Sequence, residues 1–166
     1  TRSVTASVLL VDAIVSGTIG VSYVDFKPVD PLVEPFRGVK VEAAAVYPFK
    51  EIGRLSFSLI RGIEYSYDET EGYYRELSAA LSYTHFLFGD FDFQVRGSKS
   101  WFDYGFRKGS VPRTDTSDAV AAGVGYNLPN RTRISVNYEL ATRRSPAYVE
   151  RNYDRTRIYM SWAYAF

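Results

Sequence analysis

A chain of 166 residues reads as one domain, 1–166. The absence of Cys removes disulfide frameworks, thiolate-held zinc, iron–sulfur clusters and thiol nucleophiles. Twenty basic residues against nineteen acidic ones leave a formal charge of +1, which argues against a nucleic-acid partner.

Period-2 alternation recurs along nearly the whole chain, with almost no helical stripe, and predicts nine strands. The first, near 3–11, sets Val4, Ala6, Val8 and Leu10 against Ser3, Thr5 and Ser7. The second, near 14–26, sets Val15, Ile19, Val21 and Tyr23 against Ser16, Thr18 and Ser22. A third, near 38–47, has Val39, Val41, Ala43, Ala45 and Tyr47 opposite Lys40 and Glu42. The fourth, near 54–67, alternates Leu55, Phe57, Leu59, Ile63 and Tyr65 with Arg54, Ser56, Ser58 and Glu64. In the fifth, near 73–87, Leu77, Ala79, Leu81 and Tyr83 face away from Glu76, Ser78, Ser82 and Thr84. The sixth, near 91–104, opposes Phe91, Phe93, Val95 and Trp101 to Asp92, Gln94, Arg96, Ser98 and Ser100. The seventh carries Val120, Ala122, Val124 and Tyr126 among small residues that include Gly123 and Gly125. The eighth sets Ile134, Val136, Tyr138 and Leu140 against Arg133, Ser135, Asn137 and Glu139. The last, 154–166, alternates Ile158, Met160, Trp162, Tyr164 and Phe166 with Arg157, Tyr159, Ser161 and Ala163.

The connections alternate as well. Asp12, "PFKEIG", "FGD" and "LPN" are short turns, whereas "KPVDPLVEPFRG", "DETEG", "RKGSVPRTDTSD" and "TRRSPAYVERNYD" are longer polar loops. Hairpins throughout, with turns at one end and loops at the other, describe an up-and-down antiparallel sheet.

Alternation does not say which face is inside. A soluble lipocalin-like barrel would turn the apolar face inward, around a ligand; a transmembrane barrel turns it outward, towards lipid. The mean hydropathy of −0.19 does not decide, since only every second residue of a membrane strand has to be apolar. Three features favour lipid. The polar face carries charges of both signs: Arg54, Glu64, Glu76, Asp92, Arg96, Arg133, Glu139 and Arg157 are expected to line a lumen. Tyr23, Tyr47, Tyr65, Trp101, Tyr126, Trp162, Tyr164 and Phe166 gather towards the ends of the apolar face, as interfacial girdles do. The turn and loop lengths match periplasmic turns and extracellular loops. Arg61 is the misfit: it counts onto the apolar face, where it either snorkels to an interface or is turned inward by a bulge at Arg61–Gly62. The expected fold is therefore an all-β, up-and-down antiparallel transmembrane β-barrel of about 8–10 visible strands.

The closing stretches, "YNLPNRTRISVNYELATRRS" and "YDRTRIYMSWAYAF", resemble the C-terminal part of the β-barrel porin 2 family. That family shares the Tyr-Leu-x-Asn-Arg turn, the Tyr-x-x-x-x-Arg strand end and the Tyr-Asp-Arg-x-Arg final strand. The likeness covers about the last 45 residues; the remainder shares only the hairpin rhythm. An aromatic last strand ending in Phe166 is similar to the signal read by the barrel-assembly machinery. The resemblance implies a Gram-negative outer-membrane pore passing hydrophilic solutes, with a link to exopolysaccharide export, and outer-membrane lipids and polysaccharide as partners. Members are generally larger than this chain, and nine strands is an odd count. The chain is thus expected to be the C-terminal part of a larger barrel; a closed barrel of 8 or 10 strands with one miscounted is the alternative. A plugged barrel acting through its loops in adhesion, or a soluble binding barrel, remain rival functions.

No catalytic, cofactor or metal site is expected. His85, the single His, stands near a short turn without an acid–base partner and reads as an interfacial ring. Asp68, Glu69 and Glu71 could hold a cation, but read better as a solvated loop, and Arg143 and Arg144 as loop charge. Gly123 and Gly125 open no helix, so they thin the wall rather than cradle phosphate.

Overall fold

The computed structural model describes residues 2–11, 14–49, 52–66, 72–129 and 131–164. They form a single nine-stranded sheet in which every strand pairs antiparallel with its sequence neighbours. The strands are β1 (Arg2–Val11), β2 (Ser16–Phe26), β3 (Phe36–Phe49), β4 (Gly53–Tyr65), β5 (Tyr73–Phe86), β6 (Phe91–Tyr104), β7 (Arg113–Asn127), β8 (Thr132–Arg144) and β9 (Tyr153–Tyr164). Among the described residues there is no α-helix, only a 3₁₀ turn at Val149–Arg151. The sheet is not closed: β1 and β9 are its two edges. Both run from the long-loop end to the short-turn end, so pairing them directly would make a parallel seam.

All nine predicted strands are present. The two long loops that flank the β7–β8 hairpin are shorter than their composition suggests. Arg113–Asp118, expected in a loop, is the start of β7 and pairs with β6. Arg143 and Arg144, also expected in a loop, end β8 and pair with β7 and β9. In "RTDTSD" both faces are polar, so the alternation that marks a strand disappears although the ladder continues. The opposite case is Arg61. Register runs unbroken through Arg61–Leu77 and Gly62–Glu76, so no bulge turns Arg61, and it stays on the apolar face.

That face is continuous from edge to edge. One ladder row reads Tyr47, Leu55, Tyr83, Val95, Ala122, Tyr138 and Ile158 on β3 to β9. Among the described residues no second layer covers it, and Phe57, Val136 and Met160 are all exposed. The apolar band crosses the ladder obliquely. Its loop-ward limit is Val4, Tyr23 and Val39 on β1 to β3, which lie directly opposite one another. On β9 the limit has moved to Ile158, in the row of Tyr47, eight residues further along β3 than Val39. The turn-ward limit drifts alike, from Leu10 on β1 through Phe49 on β3 and Tyr126 on β7 to Tyr164 on β9. Averaged from β1 to β9 the drift is one residue per strand, which at a rise of about 3.3 Å and a spacing of about 4.8 Å is a slope of about 35°.

The hydrophobic cluster of buried residues lies at the long-loop end. Val24, Phe26, Val33 and Tyr73 are buried there, with Phe36, Ile63 and Phe106 against them. The β3–β4 ladder stops at Val41–Arg61, and beyond it the end of the β2–β3 hairpin packs over β4 and β5. Phe26 and Phe36, of polar-face parity, thereby meet the Tyr73 ring, of apolar-face parity, edge-on. The Tyr73 ring also stacks on Phe106 at 4.8 Å. The β2–β3 loop then reaches the β6–β7 loop through a bridge between Val33 and Arg107. Gly72 permits the crossing, because a Cβ there would stand 2.6 Å from a Val33 methyl. Val33→Ala should destabilise this crossing by roughly 1–3 kcal/mol. Limited proteolysis should then cut first within residues 27–35 while the far-UV circular dichroism stays that of the sheet.

Candidate functional site

The polar face carries the charged chemistry. Arg54, Glu64, Glu76, Asp92, Arg96, Arg133, Glu139 and Arg157 all have its parity in the ladder. Between the charges lies a floor of small residues, including Ser58, Ala80, Ser98 and Ala119 in one row. Hydroxyls link neighbouring strands across it, Ser78 to Ser100 at 2.8 Å and Thr5 to Ser22 at 2.8 Å.

Towards the turn end, Asp92 on β6 is almost wholly buried. Arg133 on β8 donates to both its oxygens, from Nε at 2.8 Å and from Nη2 at 2.5 Å, and Asn127 donates at 2.9 Å. The guanidinium has to cross the intervening β7 to get there. It does so over Gly125, where a Cβ would stand 2.5 Å from Arg133 Nη2. Gly123 gives the same clearance to the Asn137 side chain. The two glycines therefore thin the wall for large neighbours, as their sequence context suggests.

Other pairs form along different lines from those opposition in sequence implies. Glu139 accepts from Arg157, directly opposite, at 2.9 Å, and from Arg155 at 3.2 Å. Glu64 lies 3.7 Å from Lys40, which holds Glu42 at 3.1 Å. Beyond the apolar band, Asp115 has no exposed surface and accepts from Arg143 at 3.0 Å, while Arg113 approaches it at 3.4 Å. Arg143 also donates to the Tyr104 hydroxyl at 3.0 Å, and Arg144 donates to Asp154. Sequence reasoning missed Arg155, Asp115, Arg113 and Arg143 as partners. The parity of Arg155 with Arg157 was a usable signal for the first; the others belong to strand ends hidden by polar composition.

On the other face, Tyr23, Tyr47, Trp101, Tyr126, Trp162 and Tyr164 share the apolar parity. Tyr23 and Trp101 are loop-ward, the other four turn-ward. Tyr65 packs edge-on against Phe26 instead. Phe166, Asp68, Glu69 and Glu71 lie outside the described residues. Lys99 and Asp118 form a pair at 2.8 Å on the apolar face, at its loop-ward limit next to Gly97 and Val120. His85 bonds through Nδ1 to the Tyr83 hydroxyl at 2.9 Å. Among the described residues no three His, Cys, Asp or Glu side chains are grouped to hold a metal ion.

Comparison with protein-family models, with curated proteins and with solved structures finds no match to this chain.

Arg133→Met should cost about 3–5 kcal/mol, because it strands a buried carboxylate. Adding Asp92→Leu should recover most of that loss, a coupling measurable as a double-mutant cycle in urea unfolding. Gly125→Ala should weaken the same pair without touching either charge.

Proposed function

We propose that the chain forms the wall of a Gram-negative outer-membrane pore that passes hydrophilic solutes, its apolar face in lipid and its polar face lining water. One observation carries this reading: the apolar band lies at about 35° to the ladder rows, the tilt that strands of a membrane barrel take to the bilayer normal. A protein core has no reason to shift both limits of its apolar residues in the same direction across the sheet. A planar slab crossed by tilted strands requires it. The height agrees too. Val39–Phe49 on β3 spans eleven residues and Leu77–His85 on β5 nine, within the 9–11 that cross a hydrocarbon layer.

The charges at the loop-ward edge of the band behave as interfacial groups. Lys99 neutralises Asp118 and leans over the Trp101 ring at 5.6 Å, and Arg61 can extend past the last aliphatic side chains. The soluble-binder reading requires the apolar face to enclose a dry centre, and that face is exposed from β1 to β9. Within this reading β9 is the strand offered to the barrel-assembly machinery, and the resemblance of the last 45 or so residues suggests polysaccharide export as the setting.

Leu81→Arg, at mid-band on the lipid side, should destabilise the protein in vesicles by roughly 2–4 kcal/mol. Ser58→Arg, at a similar depth on the polar face, should cost well under half of that. Urea titration of protein refolded into phospholipid vesicles measures both. Equal costs, or a protein soluble and monomeric without detergent, would overturn the membrane reading; absence of conductance across a planar bilayer would overturn the pore.

A further inference from the structure

The polar face is not evenly balanced. At the level of the apolar band each carboxylate is engaged by a cation: Glu42 by Lys40, Asp92 by Arg133 and Glu139 by Arg157. Arg54 and Arg96 differ. Both are exposed, and among the described residues neither has an ion pair or a hydrogen bond. Asp92, whose charge Arg54 acts on through space, is already taken by Arg133 and Asn127.

The two arginines belong to one patch. Arg54 is opposite Thr84, and Thr84 opposite Gln94; Arg96 is opposite Ser82 in the adjacent polar-face row. Two strand spacings and one two-residue step along the strands separate them, about 12 Å. Between them lie only neutral hydrogen-bonding side chains of β5 and β6. Among the described strand residues of the polar face, the acid that no cation engages, Glu76, is six residues up β5 from Ser82, about 20 Å, which is more than two Debye lengths in physiological salt. Its charge does not cancel theirs.

We infer that Arg54 and Arg96 form an anion-selecting patch, so that the pore prefers anionic solutes, those bearing carboxylate, phosphate or sulfate, over cations. The inference rests on the pore reading above and names its substrate class. Guanidinium groups are suited to this, since they stay charged at any physiological pH and offer planar forks of donors to oxyanions. Ser82, Thr84 and Gln94 supply neutral donors along the path, which help an anion pass without holding it fast.

The test is the reversal potential of the whole chain reconstituted in planar bilayers under a potassium chloride gradient. The native chain should be several-fold selective for chloride. Arg54→Gln/Arg96→Gln should bring the permeability ratio towards unity, whereas Arg54→Lys/Arg96→Lys should keep it. Lys108→Gln, a change of one charge in the β6–β7 loop, should leave it nearly unaltered. Circular dichroism and urea unfolding confirm that each variant is folded. Current with no selectivity or with cation selectivity, or a ratio indifferent to the double Gln variant, overturns the anion patch while leaving a pore. No current from the native chain overturns both.

Discussion

A single antiparallel sheet has two faces and no second layer, so each face has to meet a medium that suits it. That constraint governs the rest of this structure. On one side stand exposed Val, Ile, Leu, Phe, Tyr and Met side chains over an area far beyond the few hundred Å² that a soluble monomer tolerates. On the other stand serines, small residues and paired charges. Sheet hydrogen bonds pair every interior strand on both sides over most of its length, which is the condition for burying it in hydrocarbon.

The slope of the apolar band ties sequence to environment. Alternation along one strand says only that its two faces differ. Register between strands says where each residue stands relative to its neighbours. When the two are combined, the apolar limits advance by an average of one residue per strand in the same direction at both ends of the band. Eight strands sheared by eight residues tilt by about 36° in a closed barrel. The drift here has that proportion, and the proposed lipid contact explains why it is shared by both limits.

The charges follow a different logic at each level. At the turn end a buried carboxylate is held by an arginine that reaches over a glycine. At the level of the band, pairs sit directly opposite or diagonal, leaving Arg54 and Arg96 over. At the loop end, buried Asp115 is held by Arg113 and Arg143, which lie over the Tyr104 and Phe102 rings. Buried ion pairs of this kind hold strands in register more than they add stability, since desolvation offsets much of their attraction.

Strand number, hairpin order and the contents of both faces were legible in the residues themselves, because a two-residue period survives wherever one neighbour is greasy and the next is not. The same rule hid Arg113–Asp118 and Arg143–Arg144, where polar side chains on both faces leave no contrast to read. Register was decided by the tertiary structure, and with it everything that depends on two or more strands. Arg133 meets Asp92 only because Gly125 lies between them. Arg157 takes Glu139 and leaves Arg96 alone, and the apolar band acquires its slope. Such relations join residues some twenty to forty positions apart, and the alternation within a single strand holds no information about how far the next one is slid along it.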